Sequence, residues 1–327
     1  MTVAEAVRAP DGLHVTFGPD GHQAVFTPNW LAGHAAAEVD RRSEDGKRLW
    51  SARDFPGGPP ITSWQAYAGG DAVRLRCLRD LLSTGFLLLS GVPTEPGAIT
   101  DVVTSFGYIR ETSYGRVFDV RVEAAAANLA FTSLPIGPHT DNPYRDPVPT
   151  LQLLHCLTNC ADGGESGLLD GFRAAAQLRA EDPAAFDQLT STPVTFGYVD
   201  AATELRATRP MIGLNTAGLI REVRYNSRSM EPVRPRSGAS LAEAAEQMRQ
   251  FYVAYRAFAA ILARPSLTLR FMLAPGDCVV FDNTRILHSR TGFIAAGRRH
   301  LQGCYADIDA AESTAAVLAR SCSRKAS

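Results

Sequence analysis

The chain has 327 residues, of which 45% are hydrophobic and 20% charged, a composition that supports a sizeable folded core and excludes disordered or fibrous architectures. Lys plus Arg number 33 against 34 Asp plus Glu, for a formal net charge of -1, so no basic excess points to nucleic acid. The longest apolar stretches, such as Phe86 to Leu89, fall far short of the roughly 20 residues of a membrane span, and the start MTVAEAVRAP lacks the basic and apolar regions of a secretory signal; a cytoplasmic chain is expected.

In chain order, Leu13 to Phe17 and Gln23 to Phe26 alternate around Pro19-Asp20-Gly21, which predicts a hairpin in a small N-terminal β unit. The Gly/Pro-rich passage Phe55 to Pro60 follows as the best linker candidate, so domains over 1–65 and 66–327 are expected. Asp71 to Thr84 has helical periodicity closed by Gly85. Phe86 to Val92 then reads as a buried strand.

From Thr150 onward, strand-like runs recur at Thr150 to Leu157, Gly167 to Leu169, Val194 to Val199, Met211 to Leu214, Ile220 to Tyr225, Leu267 to Leu273, Cys278 to Phe281 and Arg299 to Ala306. Between them, Ser240-Leu-Ala-Glu243 is a capping box that opens a long helix, whose Phe251, Tyr255 and Phe258 form a core-facing stripe. Many short strands with unequal connections predict a mainly β fold with inserted helices, of the jelly-roll type. Neither a dinucleotide nor a P-loop glycine motif is present.

Cysteines stand at 77, 156, 160, 278, 304 and 322. Cys156 and Cys160 have metal-like spacing, but no second close pair completes a four-ligand site, and reduced thiols are expected. Of the seven histidines, His14 and His22 flank the hairpin and His155 lies in an apolar run.

His139 stands in Gly137-Pro-His-Thr-Asp-Asn142, where an extended backbone lets His139 and Asp141 point the same way. His288 follows a buried run ending at Phe281. Two histidines and a carboxylate on one face are the ligand set of non-haem Fe(II) oxygenases. Arg299, eleven positions after His288, can grip a carboxylate with two hydrogen bonds, the distal end of 2-oxoglutarate being the candidate. Taken alone, His-x-Asp is a weak signal, and Arg299 can equally be an ordinary surface ion pair.

At these residues the sequence resembles the 2-oxoglutarate-dependent Fe(II) dioxygenases, in the γ-butyrobetaine and trimethyllysine hydroxylase branch of the taurine dioxygenase superfamily. The resemblance is carried by Asn128-Leu-Ala-Phe131, His139-Thr-Asp141, Gln152 to Cys156, Gly163 to Gly171, Pro275-Gly-Asp277, Phe281-Asp-Asn283, His288 and Arg299 to Asp307. It implies a double-stranded β-helix core that uses Fe(II), 2-oxoglutarate and O2. In it, His139, Asp141 and His288 hold iron and Arg299 holds the cosubstrate. The implied reaction hydroxylates an aliphatic carbon of a small molecule and releases succinate and CO2.

The resemblance further implies an aromatic cage of Tyr114, Phe118, Phe131 and Tyr305, with Asn128 and Asn226 as substrate amides, and it suggests a homodimer. Aromatic faces suit a quaternary ammonium, which attracts ring quadrupoles and donates no hydrogen bond. The chain departs from the branch in four ways. No cysteine precedes Cys77, so the branch's N-terminal zinc site is expected to be lost and His34 to be a surface residue. Phe131 and Phe118 replace a tyrosine and a tryptophan, and Asn142 follows the iron carboxylate where the branch has tyrosine.

The expected substrate is γ-butyrobetaine or a phosphonate analogue such as 2-trimethylaminoethylphosphonate, and these changes, with Arg145 and Arg228 nearby, point to the phosphonate. Asn142 and Arg228 then join the substrate residues. Three alternatives stand beside this reading. One is a related hydroxylase acting on a different small acid. Another is a zinc hydrolase with Glu165 as base, and the last is a metal-free quaternary-amine binding module.

Overall fold

The structure, a computed structural model, describes residues 2–35, 40, 42–121, 132–294 and 298–326. The chain forms two compact units, Met1–Arg41 and Arg42–Ser327. In the first, β1 (Thr2–Ala9), β2 (Gly12–Gly18) and β3 (Gln23–Phe26) form an antiparallel sheet in that order, followed by α1 (Pro28–Ala35). The expected hairpin is β2–β3. Strand β1 gives little sequence signal, because all but its last residue are exposed. His34 is exposed and stacks on Trp30.

The larger unit begins at Arg42 rather than at the expected boundary near 65. The reason is Trp50, which is 1% exposed and packs edge-on against Phe55 and Phe86. Its indole N–H donates to the Thr84 carbonyl. A Gly/Pro-rich passage is a turn unless its flanks lack a core, and here one flank is core.

The unit continues through β4 (Ile61–Ser63), α2 (Trp64–Gly69), α3 (Asp71–Thr84), β5 (Phe86–Ser90), α4 (Ile99–Thr104), β6 (Phe118–Arg121), β7 (Ile136–His139), β8 (Leu151–Asn159) and β9 (Ser166–Asp170). Helices α5 (Gly171–Glu181) and α6 (Pro183–Ser191) lead to β10 (Pro193–Val199), β11 (Glu204–Pro210), β12 (Ile212–Leu214) and β13 (Ile220–Val223). Then come α7 (Leu241–Leu262), β14 (Thr268–Phe271), β15 (Cys278–Asp282), β16 (Ile286–Arg290), β17 (Arg299–Ala306) and α8 (Ile308–Ala326). No described helix is long and apolar enough to cross a membrane.

Two sheets dominate, one in the order β4-β5-β15-β8-β17-β6 and the other β14-β9-β16-β7. Strand alternation sorts their side chains into different cores. In β5, Phe86 and Leu88 face a cluster shared with Leu168, Leu269 and Ile286 of the smaller sheet. Leu87 and Leu89 face the opposite side, with Leu78 and Leu81 of α3 and Ala311 of α8. A third core joins α5, α6 and α7 through Phe172, Phe186, Phe251 and Phe258. The capping box at Ser240 and Glu243 opens α7 as expected.

One fully buried ion pair ties these parts together. The Arg285 guanidinium donates to both oxygens of Asp170 and to the carbonyls of Ser83 and Arg48. Asp170 also caps α5 and accepts the Trp50 backbone N–H. Removing one partner leaves the other charge stranded without water, so Asp170→Ala is expected to cost about 3–5 kcal/mol. Urea denaturation reads that loss as a lowered midpoint at unchanged slope; an unaltered midpoint would refute it.

Candidate active site

His139 ends β7 and His288 lies inside β16, and the two are direct cross-strand partners. Their imidazole centroids are 4.1 Å apart. The pairing shifts between His288 and Arg290, because three steps of β7 span two of β16. Gly137 and Pro138 occupy that irregularity, and Pro138 has no N–H to give the ladder. The His139 Nδ1–H donates to the Gly137 carbonyl at 2.9 Å, which leaves Nε2 as a lone-pair donor.

Asp141 joins them through a backbone clamp. Asn283 accepts the Asp141 N–H at 2.8 Å and donates to its carbonyl at 2.9 Å and to Pro149 at 3.0 Å. The chain then turns at Asn142, whose φ of 54° suits an asparagine. As a result His139, Asp141 and His288 each offer one ligand atom, all within 4.8 Å of one another. Asp141 Oδ1 lies 3.5 Å from His139 Nε2. The other oxygen, Oδ2, accepts from Gln152 Nε2 at 2.8 Å and from the Tyr305 hydroxyl at 3.0 Å.

The protonation states suit a cation. Desolvation alone would raise the Asp141 carboxyl, but its contact with His139 and the hydrogen bond from the Tyr305 hydroxyl hold it well below the usual carboxylate range. Desolvation, with His139 beside it, pushes His288 down to about 3, which keeps the imidazole neutral. An ionised carboxylate and neutral imidazoles are the forms that bind metal.

The three side chains line a cavity of about 370 Å³ that also takes in Arg228, Arg290 and Arg299. Arg299 is 7% exposed, and its Nε has no hydrogen-bond partner. Its Nη2 donates a long hydrogen bond, 3.5 Å, to the Gly164 carbonyl. Gly164 has a φ of +78°, and a Cβ there would come within 3.2 Å of Arg299 Nε, so glycine makes room for the guanidinium. Desolvation lowers the Arg299 pKa, as expected for a cation awaiting an anion.

Tyr114, Phe118 and Tyr305 line the same cavity. Ring centroids are 5.9 Å apart for Tyr114 and Phe118 and 5.3 Å for Phe118 and Tyr305. Phe118 lies over Gly303, its cross-strand partner, where a Cβ would sit 2.3 Å from the ring. Tyr144 extends this wall and was not anticipated from sequence, although it stands three residues past Asp141. Its hydroxyl contacts that of Tyr114 at 3.2 Å and donates to Asn142 Oδ1 at 2.8 Å.

Asn142 is 3% exposed and lines the cavity, and its Nδ2 has no partner among the described residues. Asn226 also lines the cavity, but its amide donates to the Thr140 carbonyl and accepts from the Ser229 N–H, so it braces the turn around Asp141. Arg228 is exposed at the cavity wall. Asn128 and Phe131 lie outside the described residues. Glu165, the base required by a zinc hydrolase, is not among the residues lining the cavity.

Residues 59–305 match the family described as "Taurine catabolism dioxygenase TauD, TfdA family". The chain belongs to the TauD/TfdA dioxygenase family. Among curated relatives of this dioxygenase, the γ-butyrobetaine dioxygenase of Pseudomonas sp. (strain AK-1) is 37% identical over 312 residues, covering 95% of this chain and 79% of the relative. The trimethyllysine dioxygenase of Meyerozyma guilliermondii is 28% identical, covering 92% and 77% respectively. A solved structure of PvcB, described as an Fe, alpha-ketoglutarate dependent oxygenase, shares the fold with a TM-score of 0.53 at 21% identity, over 83% of this chain and 93% of that one.

The Arg299 guanidinium has no carboxylate partner among the described residues, and its contacts with the Gly164 carbonyl and the Phe293 ring offset only part of the cost of burying it. Replacing it with an apolar side chain of similar length, Arg299→Met, should raise the unfolding free energy by roughly 1 kcal/mol. Urea denaturation measures this, and a lowered stability would contradict an uncompensated charge.

Proposed function

We propose that this dioxygenase uses Fe(II), 2-oxoglutarate and O2 to hydroxylate an aliphatic carbon of a small anion bearing a trimethylammonium group. The supporting observation is the convergence of His139, Asp141 and His288 on the cavity that also holds Arg299. The donor set fits Fe(II), which two imidazoles and one carboxylate bind from a single side. Held by His139, Asp141 and His288, Fe(II) would supply the coupling of oxidative decarboxylation of 2-oxoglutarate, giving succinate and CO2, to hydroxylation of the substrate.

The protein's own residues bind, orient and exclude water. Arg299 pairs with the distal carboxylate of 2-oxoglutarate by two parallel hydrogen bonds. Tyr114, Phe118 and Tyr305 offer aromatic faces to the trimethylammonium group, an attraction worth about 2 kcal/mol when water is excluded. Asn142 Nδ2, buried and unpartnered, donates to an oxygen of the substrate's anionic end. Arg228 adds positive charge on the cavity wall. Asn128 and Phe131 are assigned to the substrate by the resemblance.

The two facing sheets support a double-stranded β-helix core. The similarity to γ-butyrobetaine and trimethyllysine dioxygenases supports the trimethylammonium class. Within that class the candidates are γ-butyrobetaine and a phosphonate analogue such as 2-trimethylaminoethylphosphonate, and Asn142 and Arg228 favour the phosphonate.

Succinate formed from 2-oxoglutarate should be measured with γ-butyrobetaine, trimethyllysine, 2-trimethylaminoethylphosphonate and taurine. At least one trimethylammonium compound should stimulate succinate release, and Asp141→Ala should abolish the stimulation. Stimulation by taurine alone would reassign the substrate class, and persistent turnover in Asp141→Ala would overturn the metal assignment.

A further inference from the structure

Gln152 of β8 and Tyr305 of β17 face one another directly in the strand register. Opposite residues on paired strands project from the same face. Phe281 of β15 is Gln152's partner on the other side, so the three form one transverse row across the larger sheet. They are 0%, 2% and 3% exposed for Phe281, Gln152 and Tyr305. Phe281 packs against the His288 ring with centroids 5.0 Å apart, while the other two both bond Asp141 Oδ2.

We infer that Gln152 and Tyr305 are positioning residues for Asp141 that tie down Oδ2 and leave Oδ1 alone to face the metal. The terminal torsion of an aspartate is broad, so an untethered carboxylate rotates freely and can present either or both oxygens. Two donors on one oxygen remove that freedom before the metal arrives, which lowers the ordering cost of binding.

The surroundings distinguish this role from packing. Gln152 Oε1 is buried without a partner among the described residues. A glutamine kept for structure alone would satisfy both ends of its amide, so its bond to Asp141 accounts for its presence. Tyr305 has a second tie, because its ring forms part of the aromatic wall beside Phe118. One side chain thus touches both the substrate wall and the metal carboxylate. The backbone clamp by Asn283 fixes where Asp141 begins, and the Gln152–Tyr305 pair fixes where its carboxylate ends.

This inference rests on the metal reading above, and the test separates the two. Metal-free protein is titrated with Co(II), followed by its visible absorption, for the unsubstituted chain, Tyr305→Phe, Gln152→Ala and Gln152→Glu. Tyr305→Phe keeps the ring and loses only the hydroxyl. It and Gln152→Ala should each weaken Co(II) binding by roughly ten-fold, with the thermal unfolding midpoint unchanged. Gln152→Glu, isosteric but unable to donate when ionised, should weaken it at least as much.

Should Gln152→Ala fail to fold, Tyr305→Phe alone decides. Binding by folded variants indistinguishable from that of the unsubstituted chain would overturn the positioning role and leave the metal reading intact. Failure of the unsubstituted chain to bind Co(II) would overturn the metal reading and this inference with it.

Discussion

The site depends first on the pairing of β7 with β16. That register sets His139 opposite His288 and thereby defines where a cation can sit. A slip of one residue would send His139 to the opposite face of the sheet. The irregularity at Gly137 and Pro138 therefore matters as much as the ladder, because it decides which face the last residue of a four-residue strand presents. Asp141 lies beyond the strand, and Asn283 brings it back by bonding both its N–H and its carbonyl. Placement of all three ligands reduces to one strand register and one side-chain clamp.

Charge is distributed with a similar economy. Away from the cavity, Arg285 is fully buried but finds Asp170 and two carbonyls. Within the cavity, Arg299 has no carboxylate partner among the described residues, and Arg290 nearby is held at about 10 by desolvation and the Arg299 charge. The larger unit thus pairs its structural guanidinium and leaves the cavity's guanidinium for a ligand. Such a site gives up stability that an apolar side chain would supply, the usual trade between a rigid core and a binding pocket. Arg228, Arg290 and Arg299 thus line the same cavity as the aromatic rings of Tyr114, Phe118 and Tyr305.

Much of this was legible in the sequence where signals are local. Strands β5, β8 and β15 are near-continuous apolar runs, and α3 and α7 carry their caps at Gly85 and Ser240. Helices α5 and α8 were not expected, because alanine-rich stretches such as Ala174-Ala175-Ala176 carry few large apolar residues to mark a period. Strands β6 and β7 have four residues each, too short for a pattern. Motif order was enough to single out His139, Asp141, His288 and Arg299, which the fold brings to one cavity. Gln152, Tyr144 and Asn283 had no readable role, since their partners are brought to them by strand register and turns. Asn226, expected at the substrate, lines the cavity and its amide also braces the turn around Asp141, a tie that no local signal gives.

The most direct test is an anaerobic titration of the metal-free protein with Fe(II) followed by 2-oxoglutarate, read by visible charge-transfer absorption. If three donors on one side of the cation leave adjacent positions for a chelating keto acid beside Arg299, a band should grow to saturation at one iron and one 2-oxoglutarate per chain. Absence of that band with correctly folded protein would contradict a shared iron and cosubstrate site.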